Sequence, residues 1–181
     1  MSLAQYIRAR VHLDWYLVDH DEEESESFRP TWKVTPFWNG ELMPKFQATC
    51  DDHCRLLYHF SVGSKRFLLK VDEHPDFVQC EHEMEIWNSL DREDKRYFVP
   101  LMCGKAPEGE PPWVVCPLVP RLSINNDSSW RDRELVDNLV EKYKLADMRE
   151  NSNWFMYNGR PLIVDYGLPD HRSSRRGGRN A

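Results

Sequence analysis

"CRLLYHFSVGSKRFLLKVDE", residues 54–73, holds two apolar-rich runs of strand length on either side of Gly63-Ser64. A two-residue gap of this kind between such runs is a turn signal, so the stretch predicts an antiparallel hairpin. Its second run, "FLLKV", places Lys70 at the end of an apolar segment. A lysine there needs its charge solvated or paired.

Downstream, "HPDFVQCEHEMEIWNSLDRED" (74–94) repeats apolar residues at helical spacing, with Phe77, Cys80, Met84 and Trp87 on one stripe. Pro75 and Asp76 suit a helix start, so an amphipathic helix of about three to four turns is predicted. "YFVPLMCGKAPEGEPPWVVCPLVPRL" (97–122) gives two short apolar runs around a Pro/Gly-rich loop. It predicts a second hairpin, with Trp113–Cys116 as its second strand. Pro117 and Pro120 should stop that strand from running on as a paired central one. "SINNDSS" (123–129) is a polar linker, and Ser129 with Asp132 forms a modest capping-box signal. Leu135, Leu139 and Tyr143, widened by Val136 and Val140, define a helix over 130–143. Asn158-Gly159 then separates two further apolar runs and predicts a last hairpin.

Upstream, "VHLDWYL" (11–17) alternates and predicts a strand, whereas 20–45, with Pro30, Pro36, Gly40 and Pro44, is expected to be loop. Strands, one helix, strands, linker, one helix and a hairpin make an α+β chain, not alternating βα units.

Composition sets the frame. The 181 residues are 40% apolar and 30% charged, as in a globular protein. Seven Trp, seven Tyr and eight Phe supply much of the core. No apolar run reaches the roughly 18 residues of a membrane helix. The first residues lack a signal-peptide pattern, so the protein is expected to be intracellular. The net charge of −6 argues against non-specific nucleic-acid binding. "DHDEEESESF" (19–28) and the basic tail "HRSSRRGGRNA" (171–181) are expected to be solvated and mobile. The tail alone offers an electrostatic contact to RNA or an acidic partner. Five cysteines without a signal peptide predict free thiols. "CDDHC" (50–54) and "CEH" (80–82) lack the spacing of a zinc ribbon or finger.

The order of these elements resembles the protein-kinase family, in its small lobe and the first part of its large lobe. "FLLKV" looks like the strand whose lysine, here Lys70, contacts the nucleotide phosphates. The following helix looks like the αC helix, whose glutamate pairs with that lysine. Glu81, Glu83 and Glu85 are candidates. Only Glu83 has apolar residues three, four and seven positions on (Ile86, Trp87, Leu90), as the family's glutamate does. "WVVCPLVPRL" is similar to the strand and hinge that receive adenine, which points to Cys116 and Val119. "LADMRENSNWFM" (145–156) resembles the catalytic loop. There Asp147 would be the base and Arg149 the phosphate-neutralising cation. The loop's Asn is expected at 152, which is Ser. Asn151 and Asn153 miss that position by one. Asn153 is preferred because the apolar "WFM" follows it. "VDYG" resembles the Asp-Phe-Gly motif, with Asp165 as magnesium ligand. The hairpin would return Asn153 and Asp165 to one place as oxygen ligands.

The resemblance, covering about 30–168, implies a kinase-like small lobe, an antiparallel sheet plus one αC-type helix, with a truncated large lobe. The implied organisation is an N-terminal extension with an acidic run (1–29), small lobe and hinge (30–122), truncated large lobe (123–168) and basic tail (169–181). ATP and Mg2+ are the implied cofactors. Each motif also has a plain structural reading. Lys70 and Glu83 could be a structural ion pair, Asp147 a solvated helix end and Asp165 a turn-capping carboxylate.

The pattern departs from the family in three places. "PKFQATCDDHCRLLYHF" (44–60), where the glycine-rich loop belongs, contains no glycine. Leu145-Ala146 replace the His-Arg of the catalytic loop. Residues 168–181 show no counterpart of the family's activation segment. Two functions are therefore expected: a compact magnesium-dependent phosphotransferase, or a pseudokinase-type module that binds or inhibits a partner protein. The apolar face of helix 130–143, which the family's later helices would cover, is expected to be exposed and to need a partner protein or self-association.

Overall fold

The computed structural model describes residues 1–18, 30–45, 55–75, 78–119, 130–145 and 153–166. These divide into two compact units, Met1–Glu81 with Leu101–Leu118, and His82–Pro100 with Val119–Ala181. The fold is α+β, and the three sheets among the described residues are antiparallel.

In the first unit, a short helix α1 (Leu3–Arg8) starts on a capping box. The Ser2 hydroxyl accepts from the Gln5 N–H, and the Gln5 side chain accepts from the Ser2 N–H. A three-stranded sheet follows: β1 (Val11–Val18), β2 (Thr31–Trp38) and β3 (Glu41–Leu42). The strand over 11–17 is as expected. The loop expected over 20–45 is corrected, because its described part holds β2 and β3. Asn39 and Gly40, at φ 51° and 85°, make the left-handed two-residue turn that matches strand twist. Pro36 is tolerated because its carbonyl, and so its missing N–H, faces β3. Met43 N–H reaches that carbonyl at 2.9 Å, beyond the end of the short strand.

The hairpin expected at Gly63-Ser64 is β4 (Arg55–Val62) with β5 (Lys65–Asp72). Gly63, with φ 60°, occupies the first turn position. Helix α2 (Gln79–Ser89) follows, with Gln79–Glu81 in this unit and His82–Ser89 in the second. It begins at Gln79, not at the expected Pro75-Asp76; Asp76 and Phe77 lie outside the described residues. Asp72 supplies the start signal instead, its carboxylate accepting the Cys80 N–H at 3.0 Å. Strands β6 (Cys103–Lys105) and β7 (Trp113–Pro117) form the second expected hairpin and complete a sheet of order β4-β5-β7-β6. β7 is a central strand, and it stops at Pro117. One face of this sheet (Tyr58, Phe60, Phe67, Leu69, Val71, Trp113, Val115) forms the core with Ile7 and Met43. Leu13 and Val11 of β1 pack against that core, as do Val34 and Trp38 of β2.

In the second unit, a 3-10 turn (Asp94–Tyr97), helix α3 (Trp130–Tyr143) and the hairpin β8 (Trp154–Tyr157)–β9 (Arg160–Ile163) enclose a separate core. Asn158 and Gly159 form its turn at φ 50° and 74°. Phe98 bridges Ile163 in parallel, and the Val99 N–H donates to the Ile163 carbonyl at 2.8 Å. α3 ends on Lys144 at φ 53°. The Leu145 N–H bonds back to Val140 O and the Lys144 N–H to Glu141 O, which is a Schellman closure. The apolar face of α3, expected to be exposed, is covered within this unit: Val136 and Leu139 are buried among Phe98, Trp154, Ile163 and Tyr166.

Candidate functional site

Side chains alternate across a strand, so the face of the four-stranded sheet opposite the core carries Leu68, Lys70 and Asp72 from β5. The register puts Leu57 and Val114 on either side of Lys70, and Cys116 opposite Leu68. Arg55 stands opposite Asp72, an opposite-charge cross-strand pair. Within this unit, therefore, Lys70 and Cys116 share one face of adjacent strands. Lys70 is 4% exposed and engaged by a partner. Burial at that level in an apolar sheet requires such a partner.

Asp72, fully buried, fixes what comes next. Both of its oxygens accept from the Cys80 N–H, at 3.0 and 3.2 Å. A carboxylate here satisfies a free helix N–H and faces the positive end of the helix dipole. The Cys80 thiol lies 3.5 Å from the Lys70 carbonyl as donor. Strand β5 and the first turn of α2 are thus held by two local bonds.

Along α2, Glu81 and Glu85 are exposed, whereas Glu83 is 2% exposed and engaged by a partner. Glu83 lies three residues after the buried Cys80, on the same helix face.

In the second unit the β8–β9 hairpin brings Asn153 and Asp165 to its open end. The Asn153 carbonyl accepts from the Val164 N–H at 2.9 Å, one residue before Asp165. Both residues are half-buried and already take part in a contact. Tyr166, directly after Asp165, is buried edge-on against Phe98, and its hydroxyl donates to Val99 O at 3.1 Å. This anchor holds the chain directly after Asp165.

Magnesium takes one or two protein oxygens and fills its remaining positions with phosphate and water. The end of this hairpin carries one side-chain amide oxygen, of Asn153, and one carboxylate, of Asp165. Among the described residues no group of three or more His, Cys, Asp or Glu side chains is gathered as a metal cage.

Asp147 and Arg149 lie outside the described residues, as do Asn151, Ser152, Cys50, His53 and Cys54. Val119 is half-buried beyond the end of β7. Cys80, Cys103 and Cys116 are free thiols. Burial pushes the Cys103 thiol up to about 11, which keeps it protonated and unreactive. Among the described residues no helix is long and apolar enough to cross a membrane.

Sequence reasoning missed Asp72 and the Tyr166 anchor. Asp72 could have been found as an acidic residue shortly before the helical stripe. The Tyr166–Val99 bond, spanning 67 positions, left no local signal.

No family model matches the chain, and no curated protein or solved structure matches it at a significant level.

Proposed function

We propose that the chain is a kinase-like, ATP-binding protein with a magnesium-dependent phosphoryl-transfer site. Lys70 would neutralise the α/β phosphates, and Glu83 would be its carboxylate partner. Cys116 and Val119 would lie along the adenine. Asn153 and Asp165 would hold the metal, with Asp147 as base and Arg149 as the neutralising cation. The observation that carries this reading is the buried Lys70 on β5, in register beside β7 and directly before the Asp72-capped helix. A buried ion pair is a weak source of stability, and a hydrophobic residue of similar size would cost no desolvation. Magnesium, when bound, would screen phosphate charge. The protein's own contribution would be positioning.

A second reading, a pseudokinase-type module that binds or inhibits a partner, is favoured by one observation. No glycine stands between Gly40 and Gly63, so no backbone in that span is freed for close approach to phosphates.

Calorimetric titration with ATP, with and without magnesium, tests the proposal on wild type, Lys70→Met and Asp165→Ala. The nucleotide reading expects magnesium-dependent binding, weakened at least about tenfold in both variants. Folded variants that bind as wild type does, or a wild type that binds no ATP at cellular concentration, would sink it. Phosphoryl transfer lost in Asp165→Ala would separate the enzyme from the binding module, which should keep its partner.

A further inference from the structure

We propose that a groove in the first unit, beside β1, binds an extended acidic peptide segment of another protein, which adds to β1 as a new strand. This inference is independent of the nucleotide reading and goes beyond it.

The open edge of β1 is the starting point. Among the described residues β1 pairs with β2 alone. The Asn39 N–H donates to the Arg10 carbonyl at 3.1 Å, so the Arg10–Asn39 pair is hydrogen-bonded. Antiparallel pairs alternate, so His12, Asp14, Tyr16 and Val18 turn their backbone toward β2. Val11, Leu13, Trp15 and Leu17 turn theirs outward. Two contacts on β2 agree with this phase. Pro36, opposite Leu13, directs its carbonyl to Met43. Trp32, opposite Leu17, donates its N–H to the Glu73 carbonyl.

Edge strands that must stay unpaired are blunted by lysine, proline, bulges or short length. β1 is eight residues long and contains neither lysine nor proline. Its one acidic group, Asp14, is held by His12 at 2.8 Å. Trp15, Tyr16 and Leu17 are all exposed, Tyr16 at 63%. Such an edge is a template for pairing.

Beside it lies a groove of about 500 Å³. Val11, Leu13 and Trp15 of β1 line it together with Lys105, Pro111 and Trp113. The span from Val11 to Trp15 is about 14 Å, room for about five extended residues. Repeated N–H and C=O groups at strand spacing are satisfied by another extended backbone, not by a compact small molecule or a helix. The exposed indole of Trp15 gives apolar contact for its alternate side chains.

Charge specifies the occupant further. Arg8 and Lys105 border the groove; Lys105 is bonded by Glu110 at 3.2 Å, which leaves Arg8 as the uncompensated cation of the lining. Arg8 makes no ion pair among the described residues. An incoming segment with acidic residues between apolar ones complements this lining.

The test pans the full chain against a displayed random octapeptide library, then synthesises the peptides selected. Alternating apolar and acidic residues are expected. N-methylation at every second peptide residue should abolish binding in one phase and leave it intact in the other. Arg8→Glu should weaken binding about tenfold. Leu17→Pro, which removes an outward N–H at an exposed position, should also weaken it. Arg133→Ala, on the exposed side of α3, should leave it unchanged. A library yielding no binder overturns the proposal. So do binders indifferent to Arg8→Glu and to both N-methylation phases, or binders that bind as helices. A concentration-dependent dimer abolished by Leu17→Pro would also overturn it, by making a second copy the occupant.

Discussion

Asp72 does more than its position at the end of β5 announces. Its carboxylate is fully buried and takes the Cys80 N–H on both oxygens. Asp72→Ala leaves that donor without its acceptor. It is expected to cost about 2 kcal/mol, read as a lower urea midpoint at unchanged slope. A midpoint equal to wild type would mean the cap is dispensable. In the second unit, Asp94 bonds both Lys142 Nζ and the Tyr143 hydroxyl at 2.7 Å. The Lys142 hydrogen bond, then that of Tyr143, holds the Asp94 carboxyl below its ordinary value of 3.8. A carboxyl depressed by folding contributes stability that is complete above the unfolded value and is lost as pH falls through the folded one. Wild type should therefore be more stable than Asp94→Asn at neutral pH, and the two should converge in strong acid. Denaturation across that range checks it, and a constant difference at every pH would contradict the linkage. Residues such as these are hard to read from sequence, because their partners stand eight and roughly fifty positions away.

At the scale of elements, legibility followed local chemistry. Gly63-Ser64 and Asn158-Gly159 marked their hairpins because a left-handed turn needs those residue types. Asn39-Gly40 carries the same signal, yet Pro36 made the surrounding stretch read as loop. Only the pairing partner shows that the proline's missing N–H falls beyond the end of β3. The stripe of α3 was legible as apolar, but not what would cover it. Phe98, Trp154, Ile163 and Tyr166 come from three other stretches of sequence. The candidate site divides in the same way. Asn153 and Asp165 could be placed together from one hairpin, whereas the distinct burial of Glu83 among three neighbouring glutamates needed the structure. The end of α3 offers a direct test. Lys144 is exposed and holds φ 53°, a conformation glycine adopts without penalty. Lys144→Gly should stabilise the second unit by about 0.5–1 kcal/mol, seen as a higher Tm. A lower Tm would show that the lysine side chain contributes more than its backbone strain costs.

At the scale of the whole molecule, the described residues form two apolar clusters that share no residue. Aromatic stacking is dense in the first: Trp38 stacks on Phe60 at 4.5 Å, and Phe60 on Phe67 at 5.5 Å. The second is built around α3 and the β8–β9 hairpin. The chain between them is not divided at one point, because residues 82–100 belong with the C-terminal segments and 101–118 with the N-terminal ones. Composition and periodicity give no hint of that interleaving, since each segment reads as ordinary amphipathic structure. Separate cores make a specific demand on mutational energetics. Leu69→Ala empties a site in the first cluster and Leu139→Ala one in the second, each at a cost of about 2–5 kcal/mol. Without shared neighbours, the two effects should add to within about 0.5 kcal/mol in the double variant. Hydrogen exchange should also lose protection first in β4 and β5 for Leu69→Ala, and in α3 and the β8–β9 hairpin for Leu139→Ala. If each substitution lowered protection equally in both units, with strong non-additivity in the pair, the chain would unfold as one cooperative body and the two clusters would act as one.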